Sequence, residues 1–270
     1  MIGNPDLQAV NQLATLTRPI YGHLAALANR AISEAHSHPW AQLSFALQGV
    51  LQIDTETARY LAPPNQAVWI PPGIAHGVSC SRLANIRSLY IRNDAIPLQR
   101  QACQVLQVSP LLKELITSFS QLPEEYNEQN AEGRLAAVLL DQLAVAPSTP
   151  LLLPWPQDRR LKRLCERLHK QPDLTLTLEA FGNQIGVSSK TLTRLFQTEV
   201  GMTFRQWRQR CRVLSALVQL EKGHRVTDVA LNCGYTSLSA FIVTFKEQLG
   251  KTPKRFFEEL TSSPAAGEIQ

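Results

Sequence analysis

The chain has 270 residues, 44% of them apolar, and a formal net charge of +5, which predicts two domains with real cores. No run of about 18 apolar residues and no basic-then-apolar start occurs, so neither a transmembrane helix nor a secretory leader is expected, and the chain is read as cytoplasmic. The five cysteines (Cys80, Cys103, Cys165, Cys211 and Cys233) form no C-x-x-C pair, which speaks against a zinc site or a disulfide framework and for reduced, mostly buried thiols.

Residues 1–17 read as a loosely ordered start. From Ile20 to about Tyr90 the chain reads as short strands. Leu43, Phe45 and Leu47 alternate with Ser44, Ala46 and Gln48. Ala67-Val68-Trp69-Ile70 and Ser88-Leu89-Tyr90-Ile91 are further runs. Short strands broken by Gly, Pro and Asn predict a β-sandwich or barrel. Residues 109–121 and 131–145 then switch to helical period. Their stripes are Leu112, Leu115, Ile116 and Phe119, then Leu135, Val138, Leu139 and Leu143. Residues 147–156 hold four prolines and read as a linker. Helices fill 158–260, where 18 Lys/Arg face 10 Asp/Glu; residues 1–157 carry 9 against 11. A basic half suits phosphate; a merely solvated surface is the alternative.

The strand region contains His36-Ser37-His38, then Gln42 and Gly49, and downstream Pro71-Pro72-Gly73-Ile74-Ala75-His76. Two histidines two apart on a strand share a face, and a third from a neighbouring strand can meet them. Three imidazoles with an oxygen ligand suit Fe, Mn, Ni, Cu or Zn, so His36, His38 and His76 are candidate metal ligands and a divalent transition metal a candidate cofactor. A histidine-lined effector pocket, or histidines bonded within the domain, are the alternatives. Trp40, Gln42 and Trp69 join the histidines as candidate effector contacts; the tryptophans read equally well as core aromatics.

The last hundred residues repeat a pattern. Gly186-Val187-Ser188-Ser189 leads to Phe196, Gly201 and Thr203. Gly234-Tyr235-Thr236-Ser237, 48 residues later, leads to Phe245, Gly250 and Thr252. A small residue (Gly182, then Ala230) stands four before each first glycine. Such an order, ending in a Ser/Thr cap and an amphipathic helix, predicts a helix-turn-helix, here twice. In the first unit Leu192, Leu195 and Phe196 face inward, leaving Lys190, Thr191, Thr193 and Arg194 to read base edges or grip phosphate. In the second, Ser237, Leu238, Ser239, Ile242 and Val243 fall outward, and aliphatic contact with thymine methyls is expected there. The first unit is therefore expected to discriminate more. Thr203 to about Glu221 reads as a connecting helix. Its stripe is Trp207, Cys211, Leu214 and Val218, and Arg205, Arg208, Arg210 and Arg212 lie mostly off it, facing phosphate or solvent.

Residues 158–258 resemble the DNA-binding domain of AraC/XylS-type transcription regulators. The likeness rests on Gly-Tyr-x-Ser-x-Ser-Ala-Phe (Gly234 to Phe241), Phe245-Lys246 and Gly250-x-Thr-Pro (to Pro253). It implies two helix-turn-helix units, joined by a long helix, that read successive major grooves. The family usually has alanine where Gly182 sits, a departure expected to soften packing slightly. Residues 20–92 resemble the cupin-like sensor barrels of such regulators through H-x-H-x3-E-x6-G and G-x5-P-x-G-x2-H. Gln42 replaces the glutamate, and Asn65 replaces the first glycine of the second motif while tolerating its left-handed turn.

The implied architecture is an all-β cupin-like barrel with a helical dimerisation region, followed by an all-α double helix-turn-helix. The divisions are 1–95 for effector sensing, 96–157 for dimerisation and linker, 158–260 for DNA binding (units at about 178–199 and 226–249), and a flexible tail at 261–270. The implied function is non-enzymatic: a sequence-specific, effector-responsive transcription regulator on promoter DNA, homodimeric, with RNA polymerase as a further partner and no membrane. The rivals are a cupin metalloenzyme fused to a DNA-binding domain and a ligand-blind architectural DNA binder.

Overall fold

A computed structural model of the chain describes residues 16–27, 33–80, 84–96 and 100–261. The expected loose start and tail fall almost wholly outside these. Two compact units form: one runs to Leu152, and the other from Leu153 onward together with Thr57–Arg59.

The first unit contains two antiparallel sheets. Its strands are β1 (Ile20–Leu27), β2 (Ser33–His36), β3 (Ala41–Ala46), β4 (Leu51–Thr55), β5 (Ala58–Ala62), β6 (Gln66–Ile70), β7 (His76–Cys80), β8 (Ala84–Ile91), β9 (Gln104–Gln107) and β10 (Ser148–Thr149). The first sheet runs β1-β8-β3-β6-β9-β10, and the second includes β5-β4-β7-β2 in that order. Asn65 takes a φ of 64°, the left-handed turn its amide side chain tolerates.

Two helices follow, α1 (Pro110–Phe119) and α2 (Ala131–Val145), capped by the Ser109 hydroxyl and the Asn130 side chain. Both are bound into this unit. Leu112, Ile116 and Phe119 of α1 and Leu139 and Leu143 of α2 share one buried core with Leu43, Phe45, Trp69 and Leu89 of the first sheet. So the stripes pack on sheet except at Val138, which the helical period had placed with them and which is 43% exposed; Leu111 and Val145 are also exposed, at 53% and 72%.

The proline-rich segment differs from the linker expected. It forms β10 and a further strand, β11 (Leu152–Pro154), with Leu151 and Leu153 buried. Proline removes only a donor, so short edge strands accept it.

The second unit is helical: α3 (Arg159–Lys170), α4 (Leu178–Ile185), α5 (Ser189–Val200), α6 (Phe204–Glu221), α7 (Val226–Asn232), α8 (Leu238–Leu249) and α9 (Pro253–Thr261). Of the α6 stripe, Trp207, Cys211 and Leu214 are buried and Val218 is half-buried, and Val213, Ala216 and Leu217 widen the buried face beside them.

Candidate DNA-reading unit and effector site

Each helix-turn-helix is assembled by local chemistry. The Thr177 hydroxyl accepts from Ala180 N to start α4, and Ser188 accepts from Thr191 N to start α5. Between them Gly186 takes φ 69°, open to glycine without cost. In the second unit Ser237 accepts from Ala240 N to start α8. Thr203 and Gln206 form a reciprocal capping box at the head of α6.

The small residue is stricter than expected in the first unit. A Cβ built on Gly182 would lie 2.3 Å from the Val187 carbonyl oxygen and 3.4 Å from Leu192 Cδ1. Glycine there does not soften the packing; a methyl group has no room without backbone movement. The corresponding Ala230 is buried at 1% exposure.

Lys190, Thr191, Thr193 and Arg194 all lie exposed on the first two turns of α5. The threonine hydroxyls are partly committed. Thr191 Oγ1 sits 2.9 Å from Ser188 Oγ, and Thr193 Oγ1 donates to Ser189 O at 2.8 Å. That leaves Lys190 and Arg194 as the long cationic donors of this helix. On α8, Leu238, Ser239 and Val243 are exposed and Ile242 is half-buried; Ser237 is exposed but spends its hydroxyl on the cap.

Two arginines of α6 are placed differently from the phosphate-facing reading. Arg208 donates to the carbonyls of Leu174 and, at 3.1 Å, Leu176. Arg212 Nε donates to Pro172 O at 2.9 Å, and its guanidinium lies 5.7 Å from the Tyr235 ring centroid. Both grip backbone within the protein. Arg205 is exposed and Arg210 half-buried.

The first unit carries an unusual polar seam. Along β3 the odd-numbered Ala41, Leu43 and Phe45 enter the helix-covered core. The even-numbered Gln42 and Ser44 point the other way and are buried nonetheless, 3% and 0% exposed. Gln42 pairs with Tyr90 and Ser44 with Ser88 across the β3–β8 ladder. Strand register also sets His36 opposite His76. Buried polar groups persist only when bonded to one another or to a ligand.

These neighbours bring His36, His38 and His76 together, with donor atoms all within 4.8 Å of one another. Gln42 joins them: its terminal Oε1 lies 2.8 Å from His38 Nε2 and 3.2 Å from His76 Nε2, and its Nε2 2.8 Å from Ser44 Oγ. Trp40 stacks on His38, the rings 5.3 Å apart and 8° from parallel, and its buried Nε1 has no hydrogen-bond partner. The structure does not bring Trp69 to this group. Trp69 pairs with Leu43, lies in the helix-covered core and donates from Nε1 to Arg100 O at 2.9 Å. Ser44, Ser88 and Tyr90 were missed by sequence reasoning; the even-numbered positions of the same alternation were the available signal.

Protonation in the seam follows from its partners. His38 Nδ1 faces Trp40 O at 2.8 Å and His76 Nδ1 faces Ile74 O at 2.9 Å, so both Nδ1 atoms carry the proton. Burial pushes His76 down to about 4, with His36 and His38 adding charge repulsion, and burial likewise lowers His38. Both rings are therefore neutral and turn Nε2 lone pairs towards Gln42. A carbonyl oxygen there would face two lone pairs. Turned by 180°, the Gln42 amide donates one N–H to each ring and accepts from Ser44, which satisfies every group.

A sheet unit with a polar, histidine-lined seam and a helical unit with two helix-turn-helix pairs define a ligand-binding transcription regulator. An AraC-like ligand binding domain model matches residues 19–144, and a helix-turn-helix domain model matches 181–259. The HTH-type transcriptional regulator NimR of Escherichia coli K12 is 35% identical over 230 residues, covering 85% of this chain and 84% of its own length. The virulence regulon transcriptional activator VirF of Yersinia enterocolitica is 26% identical over 201 residues, 71% of this chain and 72% of its own. The crystal structure of unsaturated fatty acid bound ToxT from Vibrio cholerae superposes with a TM-score of 0.39 at 11% identity, covering 92% of this chain and 98% of that one. The chain belongs to the AraC family of transcription regulators. No helix among the described residues is long and apolar enough to cross a membrane.

Proposed function

We propose that this regulator binds double-stranded promoter DNA through both helix-turn-helix units, and that a small effector bound in the polar seam alters that binding. The observation that carries the DNA half is the pair of serine-capped helices whose first turns are exposed, in a region with 18 Lys/Arg against 10 Asp/Glu. Lys190, Thr191, Thr193 and Arg194 read the first half-site; Ser237, Leu238, Ser239 and Ile242 contact the second. For the effector, the support is the buried row Trp40, Gln42, Ser44, Ser88 and Tyr90 beside the three histidines. Trp40 Nε1 supplies a donor with no partner, which suits an acceptor-bearing small molecule. The ligand acts by binding one state of the protein better than another. No chemical step is assigned to the seam.

The exposed Leu111, Val138 and Val145 of α1 and α2 support a homodimer, which doubles the length of DNA read. A regulator seated at a promoter meets RNA polymerase there, and that contact belongs to this reading, as does residence in the cytoplasm.

The test is selection and sequencing of genomic fragments retained at physiological salt. Recurrent sites with two half-sites about 10 base pairs apart are expected. Retention without sequence preference would leave an architectural binder.

A second reading, a divalent transition metal held by His36, His38 and His76, is supported by the tautomers. His38 and His76 hold Nδ1 on backbone carbonyls and turn Nε2 into the cluster, the arrangement that orients histidine ligands, and a metal would take the place of the Gln42 N–H groups there. With its amide turned the other way, Gln42 would present Oε1 and complete a neutral ligand set suited to Zn, Cu or Ni. The metal would offer an open position to an effector atom. A near-stoichiometric metal content, lost on His36→Ala with His76→Ala, is the expected signature.

A further inference from the structure

We infer that Arg212 is a positioning residue that locks the two reading helices at one separation; the inference rests on the two-half-site reading above. The loop at 171–177 joins α3 to α4 and so delivers the chain into the first helix-turn-helix. The turn at Gly234-Tyr235 joins α7 to α8 and is the pivot of the second. One guanidinium touches both. Its Nε donates to Pro172 O at 2.9 Å, and its central carbon lies over the Tyr235 ring, 5.7 Å from the centroid.

The contact is close as well as double. Gly234 takes φ 76°, and a Cβ built on it would lie 2.6 Å from Arg212 Nη2 and 2.7 Å from Asp173 Cα. The two turns thus press against each other with the guanidinium wedged between them. Arg208, one helical turn earlier on the same face of α6, holds the next stretch of the loop at Leu174 and Leu176. At the far side Gln219 of α6 accepts from Asn232 Nδ2 at 3.3 Å and donates to Cys233 Sγ at 3.5 Å, fixing the end of α7. The connecting helix is therefore clamped to the entry of one reader and the pivot of the other. A planar, always-charged fork with an apolar face is the side chain that can donate to a carbonyl while lying over a ring.

Two sites on one rigid body bind with a linked advantage that depends on their separation, and loosening the body removes the advantage without removing either contact. The experiment uses the full chain, its selected paired site, the same site with one base pair inserted between the half-sites, and each half-site alone. Arg212→Ala and Arg212→Lys are compared with the parent by fluorescence anisotropy, with thermal melting recorded for each. The parent is expected to lose affinity sharply on the one-base-pair insertion. Arg212→Ala is expected to bind the paired site about tenfold less tightly, to be nearly indifferent to the insertion, and to bind single half-sites as the parent does. Arg212→Lys, which keeps the charge but not the fork, is expected to follow Arg212→Ala. Equal losses on single and paired sites, or full rescue by lysine, would make Arg212 a phosphate contact and overturn the inference. So would unchanged spacing dependence in folded Arg212→Ala. A parent with no sequence preference at all refutes the two-half-site reading instead.

Discussion

Arg100 donates from Nε and Nη2 to a single carbonyl oxygen, that of Leu143, at 3.0 and 2.7 Å. The same guanidinium reaches Ala144 O and Ala146 O, so it closes the carboxyl end of α2, where unpaired carbonyls and the helix dipole favour a cation. Arg100 is 5% exposed, and these neighbours are neutral. Arg100→Met should therefore destabilise the first unit by about 2–3 kcal/mol, because several buried carbonyls lose their donors. Urea unfolding followed by tryptophan fluorescence checks this; a change below roughly 0.5 kcal/mol would show that water replaces the guanidinium.

Gly182→Ala tests the tightness of the first helix-turn-helix. Helix propensity alone favours alanine by about 1 kcal/mol. The 2.3 Å approach to Val187 O opposes it. Net destabilisation with weakened DNA binding is the expected outcome, read from melting temperature and half-site affinity. A stabilised variant would mean that the turn yields easily.

Unequal reading by the two units predicts unequal losses. Arg194→Ala should cost about 1–3 kcal/mol on the matched site and relax sequence preference at one position. Ile242→Ala, which removes half-buried apolar contact, should cost less specificity. Anisotropy on matched and single-mismatch duplexes decides; a uniform loss across sequences for Arg194→Ala would make it a phosphate contact.

The seam makes the first unit sensitive to acid. His76 is held down to about 4 in the folded protein, below its ordinary value of 6.5, and His38 is lowered as well. Above about pH 6.5 both states are neutral there and stability is flat. As pH falls from 6.5 towards 4 the unfolded chain binds protons that the folded one refuses, so stability drops, by on the order of 3 kcal/mol for His76 alone. Denaturation against pH, with chelator present, should show the slope, and His76→Gln should flatten it.

The helical half was legible because its signals are local. The Ser/Thr cap expected after each glycine turn is supplied by Ser188 and by Ser237, and the connecting helix read from Thr203 to about Glu221 is Phe204–Glu221 with Thr203 as its cap. The roles of Arg208 and Arg212 were not legible, since off-stripe arginines on a helix look alike until the loop they meet is placed. In the sheet half, alternation showed that Leu43 and Phe45 share a face but not what each face meets. Hence sequence left Trp69 open between a histidine-side contact and a core aromatic, and its register with Leu43 decides for the core under the helices. The prolines between 147 and 156 marked a break in helix, and equally suit an edge strand.

The first sheet turns a wholly oily face outwards, beneath α1 and α2, and keeps within the face on which Gln42, Ser44 and Ser88 sit among Val68, Ile70 and Ile86. On the ribosome the strands through Gln107 emerge before Ala131–Val145. Until that last helix is out, the nascent chain displays Leu43, Phe45, Trp69 and Leu89 as a bare apolar wall. Such a surface recruits chaperones or sister chains. A chain ended after residue 95 should consequently aggregate, while one ended after Leu152 should remain dispersed.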